Sequence, residues 1–161
     1  MSARSTLSGT AAITMRLLVT SGLPLSGGLI GAGVPQDWTT HMIGHELTAL
    51  HGLAHGVTLA IILPAMLNEM FEEKKEKLAQ YAERVWNITE GSADEKARAA
   101  IAKTEEFFRS LGVPTHLKEY GIGDESFQTI CNRFTERGWT GMGERRALTP
   151  ERVLEVLKKS L

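Results

Sequence analysis

The stretch from His55 to Met70 most constrains what this chain can fold into. Val57, Ala60, Ile61, Leu63, Met66, Leu67 and Met70 leave it almost no polar face. A helix that is apolar nearly all round is stable only when other elements surround it. A central helix is therefore expected here, opened by His55, with Pro64 as the place for a kink.

The rest of the chain supplies the surrounding layer. Residues 10–19 are read as an N-terminal helix, and the Gly-rich passage 21–33 then breaks regularity. Asp37 is read as the N-cap of a helix over 38–50 that Gly52 ends. After the mixed-sign run 72–77, Leu78, Tyr81, Ala82 and Val85 recur at helical spacing, the pattern of an amphipathic surface helix. Ser92 and Glu95 form a capping box for a helix presenting Ala97, Ala100, Ile101, Thr104, Phe107, Phe108 and Leu111, stopped by Gly112 and Pro114. Asp124 is read as the cap of a helix carrying Phe127, Ile130, Cys131 and Phe134, closed by Gly138. Thr149 caps a last helix, with Pro150 at its first position and Val153, Leu154 and Leu157 buried. No stretch alternates apolar and polar residues, so the expected fold class is all-α.

Composition narrows the function classes. With 161 residues, one domain buries about 70% of the surface its unfolded chain exposes and needs no disulfide or structural metal. The single cysteine cannot form an internal disulfide, which favours a reducing compartment and a cytoplasmic location. Eighteen basic against nineteen acidic residues give a net charge of −1, with no argument for a nucleic acid or an anionic membrane as partner. The apolar stretch 11–30 is not read as a signal or a membrane span, because Arg16, Pro24, Gly27 and Gly28 interrupt it.

The histidines stand apart from this ordinary composition. Four of the five, His41, His45, His51 and His55, fall within fifteen residues. His41 and His45 share one helical face at spacing i, i+4, while His51 lies about 80° around the helix from His41 and is the poorest candidate for a shared site. His45 and Glu46 do not open a metalloprotease motif, because position 49 is alanine. Imidazole is a common ligand for zinc or iron. Four such side chains so close together favour a metal site over a surface helix that merely happens to be rich in histidine.

The passage GAGVPQDWTTHMIGHELTALHGLAHG at 31–56, continued by AIILP at 60–64, resembles the metal-ligand signature of the iron-containing alcohol dehydrogenase family. It is most similar to the NADPH-dependent butanol dehydrogenase and aldehyde reductase branch. The similarity continues through YAERVWN at 81–87 and LGVPT at 111–115, and covers about 29–161. The resemblance implies the multi-helix C-terminal domain of the dehydroquinate synthase-like type, which in the family follows a dinucleotide-binding α/β domain. It implies that His41 and His55 are metal ligands and that His45 lies beside metal and nicotinamide, for proton handling or positioning. It further implies a divalent iron or zinc ion, NAD(P)H in the complete enzyme, and a small aldehyde or alcohol as substrate. Trp38 and Leu53 become candidates for a pocket wall, with plain packing an equal reading of Trp38.

The departures are specific. The family's other two ligands, an aspartate and a histidine four residues apart, have no counterpart before His41, where Asp37 is the only acidic residue. Residues 1–28 fit the family poorly and are read as an atypical leader to a helical metal-binding domain at 29–161. These 161 residues alone are therefore expected to bind metal weakly and to be inactive. An alternative is a non-catalytic helical module that self-associates into a homo-oligomer through apolar surface. A hydrolase using the paired histidines is disfavoured, since Glu46 points to another side of the helix and is read as solvated or capping. Cys131 is read as a buried small hydrophobe, His116 as a loop or helix-start residue, His51 as branch-specific or structural, and Glu144, Arg145 and Arg146 as a solvated cluster.

Overall fold

In a computed structural model of the protein, the described residues are 36–161, and Asp37–Leu161 form one compact unit. The helix expected at 10–19, the Gly-rich passage 21–33 and the leader at 1–28 lie outside the described residues. Six α-helices follow: α1 (Thr39–His51), α2 (His55–Glu69), α3 (Phe71–Trp86), α4 (Ala93–Ser110), α5 (Phe127–Glu136) and α6 (Pro150–Lys159), with a short 3₁₀ turn at Leu117–Tyr120. Among the described residues there is no strand, only a bridge between Met142 and Leu148, so the all-α expectation holds. No described helix is long and apolar enough to cross a membrane.

As its composition requires, α2 is central. It packs against α1, α3, α4 and α6, and buries Thr58, Ala60, Ile61, Ile62, Pro64, Ala65 and Met66. Around it close Ile43 and Leu47 of α1, Phe127, Ile130 and Phe134 of α5, and Val153, Val156 and Leu157 of α6. A smaller core of Phe71, Leu78, Ala97 and Ile101 joins α3 to α4.

Two features bring α1 and α2 together. Gly52 closes α1 at φ +69°, a left-handed conformation that glycine adopts without a Cβ penalty, and the chain re-enters a helix at His55. At the crossing itself Gly44 lies against Thr58, where a Cβ on residue 44 would stand 2.8 Å from the Thr58 Oγ1. That hydroxyl donates to the His55 carbonyl oxygen at 2.8 Å, so the crossing also fixes the first turn of α2.

Several expectations shift in detail. Helix α1 starts at Thr39 with Trp38 at the cap position, while the Asp37 carboxylate, one residue further out, accepts from the Thr39 N–H at 2.9 Å and from its hydroxyl. Asp124 caps α5 with its main-chain carbonyl, which accepts from Phe127 N–H, and not with its side chain; Ser126 holds the cap position. The Ser92–Glu95 capping box and the Thr149 cap form as expected. Val85 is 60% exposed, Leu111 42% and Phe107 40%, because the last turn of α3 presents Trp86 to Phe107 and the apolar stripe outruns its cover. Glu144 is not merely solvated, since it accepts from Lys74, which also pairs with Asp37.

Gly44→Ala is expected to displace Thr58 and destabilise the chain by about 1–3 kcal/mol. The double variant with Thr58→Ala, which removes the opposing hydroxyl, should recover part of that loss. Urea unfolding of the three variants checks both; an unchanged midpoint in Gly44→Ala would show that the crossing has slack.

Candidate functional site

The corner between α1 and α2 gathers three of the four crowded histidines. His41 and His45 lie one turn apart on α1, and His55 is the first residue of α2. The His41 and His55 ring centroids are 5.3 Å apart, those of His45 and His55 4.3 Å, and those of His41 and His45 6.5 Å. Trp38 stands edge-on to His41 at 5.2 Å. His51 points elsewhere, as the helical geometry predicts: its Nε2 lies 2.8 Å from the Ser126 hydroxyl and ties the end of α1 to the start of α5.

His55 has the character of a ligand without its ligand. Its Nδ1 is buried with no hydrogen-bond partner among the described residues. Burial, reinforced by the neighbouring His45 and His41, pushes its pKa below the ordinary 6.5 and keeps the ring neutral. Neutral imidazole is the metal-binding form. Among the described residues, however, no group of three His, Cys, Asp or Glu side chains is arranged to hold an ion. The residues fit half of a four-coordinate site, with His41 and His55 facing each other across the corner. Asp37, the one acid that precedes His41, is committed to Thr39 and to Lys74 at 2.8 Å.

Beside His41 opens a cleft of about 540 Å³ with a mainly apolar lining of Leu59, Leu63, Met66 and Phe108. Neither Trp38 nor Leu53 lines it. Trp38 packs on His41 with half its surface exposed, and Leu53 belongs to the main core. None of these four was singled out as a wall from the sequence, where the helical spacing of Leu63, Met66 and Phe108 assigns them to the core.

Glu46 corrects the sequence reading most sharply. It is neither solvated nor capping but buried, accepting from Arg133 at 2.8 Å and from Arg137, so it clamps α1 to α5. A carboxylate held this way is unsuited to serve as a base for the paired histidines. The available signal was the i, i+4 spacing of the two arginines, which places both guanidinium groups on one face of α5. His116 caps the 3₁₀ turn and Cys131 is buried, both as expected.

Comparison with known proteins places this geometry in a family. The family model described as "Fe-containing alcohol dehydrogenase family, C-terminal" matches residues 26–161. The NADPH-dependent aldehyde reductase YqhD of Escherichia coli is 61% identical over 122 residues, which is 76% of this chain and 32% of that protein. The NADH-dependent butanol dehydrogenase A of Clostridium acetobutylicum is 34% identical over 146 residues, 89% of this chain and 37% of that one. A solved structure of the E. coli aldehyde reductase, free of substrate and cofactor, superposes with a TM-score of 0.80 at 55% identity, covering 83% of this chain and 35% of that chain. The chain belongs to the Fe-containing alcohol dehydrogenase family and corresponds to its C-terminal region. It spans about a third of the length of these relatives.

Burial alone would raise the pKa values of Asp37 and Glu46, but their hydrogen bonds and ion pairs to Lys74 and Thr39, and to Arg133 and Arg137, outweigh it and hold both below the ordinary 3.8 and 4.5. A carboxylate depressed in the folded state contributes stability above its unfolded pKa and loses it as pH falls through the folded one. Chemical denaturation between pH 7 and pH 2 should therefore show stability falling below about pH 4.5. Glu46→Gln should cost about 1–3 kcal/mol at pH 7 and flatten that fall; an equally steep fall in the variant would exclude Glu46 as a contributor.

Proposed function

We propose that the chain forms the metal-binding helical part of an NAD(P)H-dependent alcohol dehydrogenase or aldehyde reductase. His41 and His55 are two of its metal ligands, and His45 is the catalytic histidine beside them. The observation that carries this reading is the corner itself: three imidazoles converge there, one with a buried and unpartnered nitrogen, beside an apolar cleft. The relatives named for NADPH-dependent aldehyde reduction and NADH-dependent butanol dehydrogenation supply the reaction class.

The metal, iron by the family's name or zinc by the chemistry of the donors, supplies when bound a Lewis acid that polarises a carbonyl during hydride transfer. The chain's own residues do the rest of what falls to this region. His41 and His55 present their ring nitrogens from the two sides of the corner, with ring centroids 5.3 Å apart. Leu59, Leu63, Met66 and Phe108 offer an apolar wall to the alkyl part of a small aldehyde or alcohol. His45, exposed on the same side of α1, holds or moves a proton at its ring. Nucleic acid and membrane have no part in this reading, and the buried free thiol of Cys131 accords with a cytoplasmic setting.

Calorimetric titration of the 161-residue chain with Zn²⁺ should show weak binding that His41→Ala or His55→Ala removes. Tight binding that survives both variants would overturn the ligand assignment. The same chain with NADPH and butyraldehyde should show no turnover above the blank, and a rate that vanishes in His41→Ala would disprove this inactivity.

A second reading, the self-associating helical module, has its own observation: the large apolar side chains Trp38, Val85, Phe107 and Leu111 are exposed. Light scattering coupled to size exclusion should give a mass above 17.6 kDa if these faces associate. A clean monomer would exclude it.

A further inference from the structure

The His55 ring poses a question of orientation. Its Nδ1 finds no hydrogen-bond partner among the described residues. A metal-ligating histidine is ordinarily oriented by a hydrogen bond from the ring nitrogen that does not hold the metal to a carboxylate or carbonyl, which fixes the ring plane; among the described residues neither His55 ring nitrogen makes such a bond, so whichever one takes the metal, the other leaves the ring unfixed. The carboxylates nearest in sequence, Glu46 and Glu69, are engaged elsewhere, Glu46 with Arg133 and Arg137 and Glu69 with Arg152 and Lys159, as is Asp37 with Thr39 and Lys74. The Thr58 hydroxyl holds the His55 carbonyl and so fixes its backbone, leaving the side-chain torsions undetermined.

What meets the ring is another ring. His45 lies over His55 with centroids 4.3 Å apart and planes only 6° from parallel, whereas the His41 ring is tilted 57° to it. Two aromatic rings stacked in this way restrict rotation about the bond that carries each of them. Parallel, face-to-face rings are also poorly placed to aim their in-plane nitrogen lone pairs at one common point. The geometry of His45 therefore suits support of His55 better than joint coordination with it.

We infer that His45 is a positioning residue for His55, holding the ligand's ring plane by stacking where a histidine ligand would otherwise be held by a hydrogen bond. The inference rests on His55 being a metal ligand. It assigns His45 a task that needs its flat ring and neither of its nitrogens. Phenylalanine should therefore replace it in this task and alanine should not.

The 161-residue chain and four variants separate the possibilities. In the metal-free chain, the His55 ring protons should be shifted upfield in the NMR spectrum by the His45 ring current. His45→Phe should keep that shift and His45→Ala should lose it. In calorimetric titrations with Zn²⁺ alone, His45→Ala should weaken binding about tenfold, as loss of a ligand's supporting partner does, while His45→Phe should stay within about threefold of the unmodified chain. Equal weakening in both variants would mean that a His45 nitrogen is needed and would overturn the inference. So would unchanged binding in His45→Ala. If instead His41→Ala and His55→Ala leave Zn²⁺ binding intact, the ligand assignment fails, whatever the ring-current result.

Discussion

The close crossing of α1 over α2 at Gly44 and Thr58 is the contact on which the rest of the structure depends. With no side chain at residue 44, the two helices approach until the Thr58 hydroxyl stands 2.8 Å from where a Cβ would be. Interiors are packed densely enough that even one methyl group at such a point must move its neighbours. Because the same threonine hydroxyl holds the His55 carbonyl, the spacing of the helices and the position of a candidate ligand are set by one side chain. The crossing lies beside His45 and about one turn from both His41 and His55, which brings the three rings together.

Charge organises the periphery in a complementary way. Three clamps join elements far apart in sequence: Asp37 and Glu144 with Lys74, Glu46 with Arg133 and Arg137, and Glu69 and Glu73 with Arg152, with Lys159 also on Glu69. Asp37, Glu46, Glu69 and Glu73 are held ionised by their partners, and these links secure α1, α2 and α3 to the C-terminal part of the chain. Among the described residues, the histidine corner has no comparable clamp. Its rings meet one another and Trp38, which leaves their nitrogens available to a ligand.

Much of this was legible in the sequence, for identifiable reasons. The central helix followed from the absence of a polar face between His55 and Met70. The grouping of His41, His45 and His55 without His51 followed from helical angles and from the turn at Gly52. What escaped were relations that local patterns do not encode. Glu46 finds its arginines 87 and 91 residues away, and nothing around it in sequence indicates burial. Gly44 reads as an unremarkable helix glycine until Thr58 is brought against it. Phe107, Leu111 and Val85 share helical spacing with core residues, yet the stripe continues past the point where another helix covers it. Asp124 has the right chemistry for a cap, but the helix begins closer to Phe127 and uses only its carbonyl.

Met70 is at once the residue that ends α2 and the one that starts α3, and it is buried. With no loop between the two helices, a change of chain length at this joint has nowhere to be absorbed. One inserted residue would rotate the whole of α3 by about 100° relative to α2. Phe71 and Leu78 would then leave the small core shared with α4, and Lys74 would leave Asp37. The joint therefore acts as a register mark: it can accept a different apolar side chain, but a single insertion or deletion there would uncouple the α3–α4 pair from the histidine-bearing half.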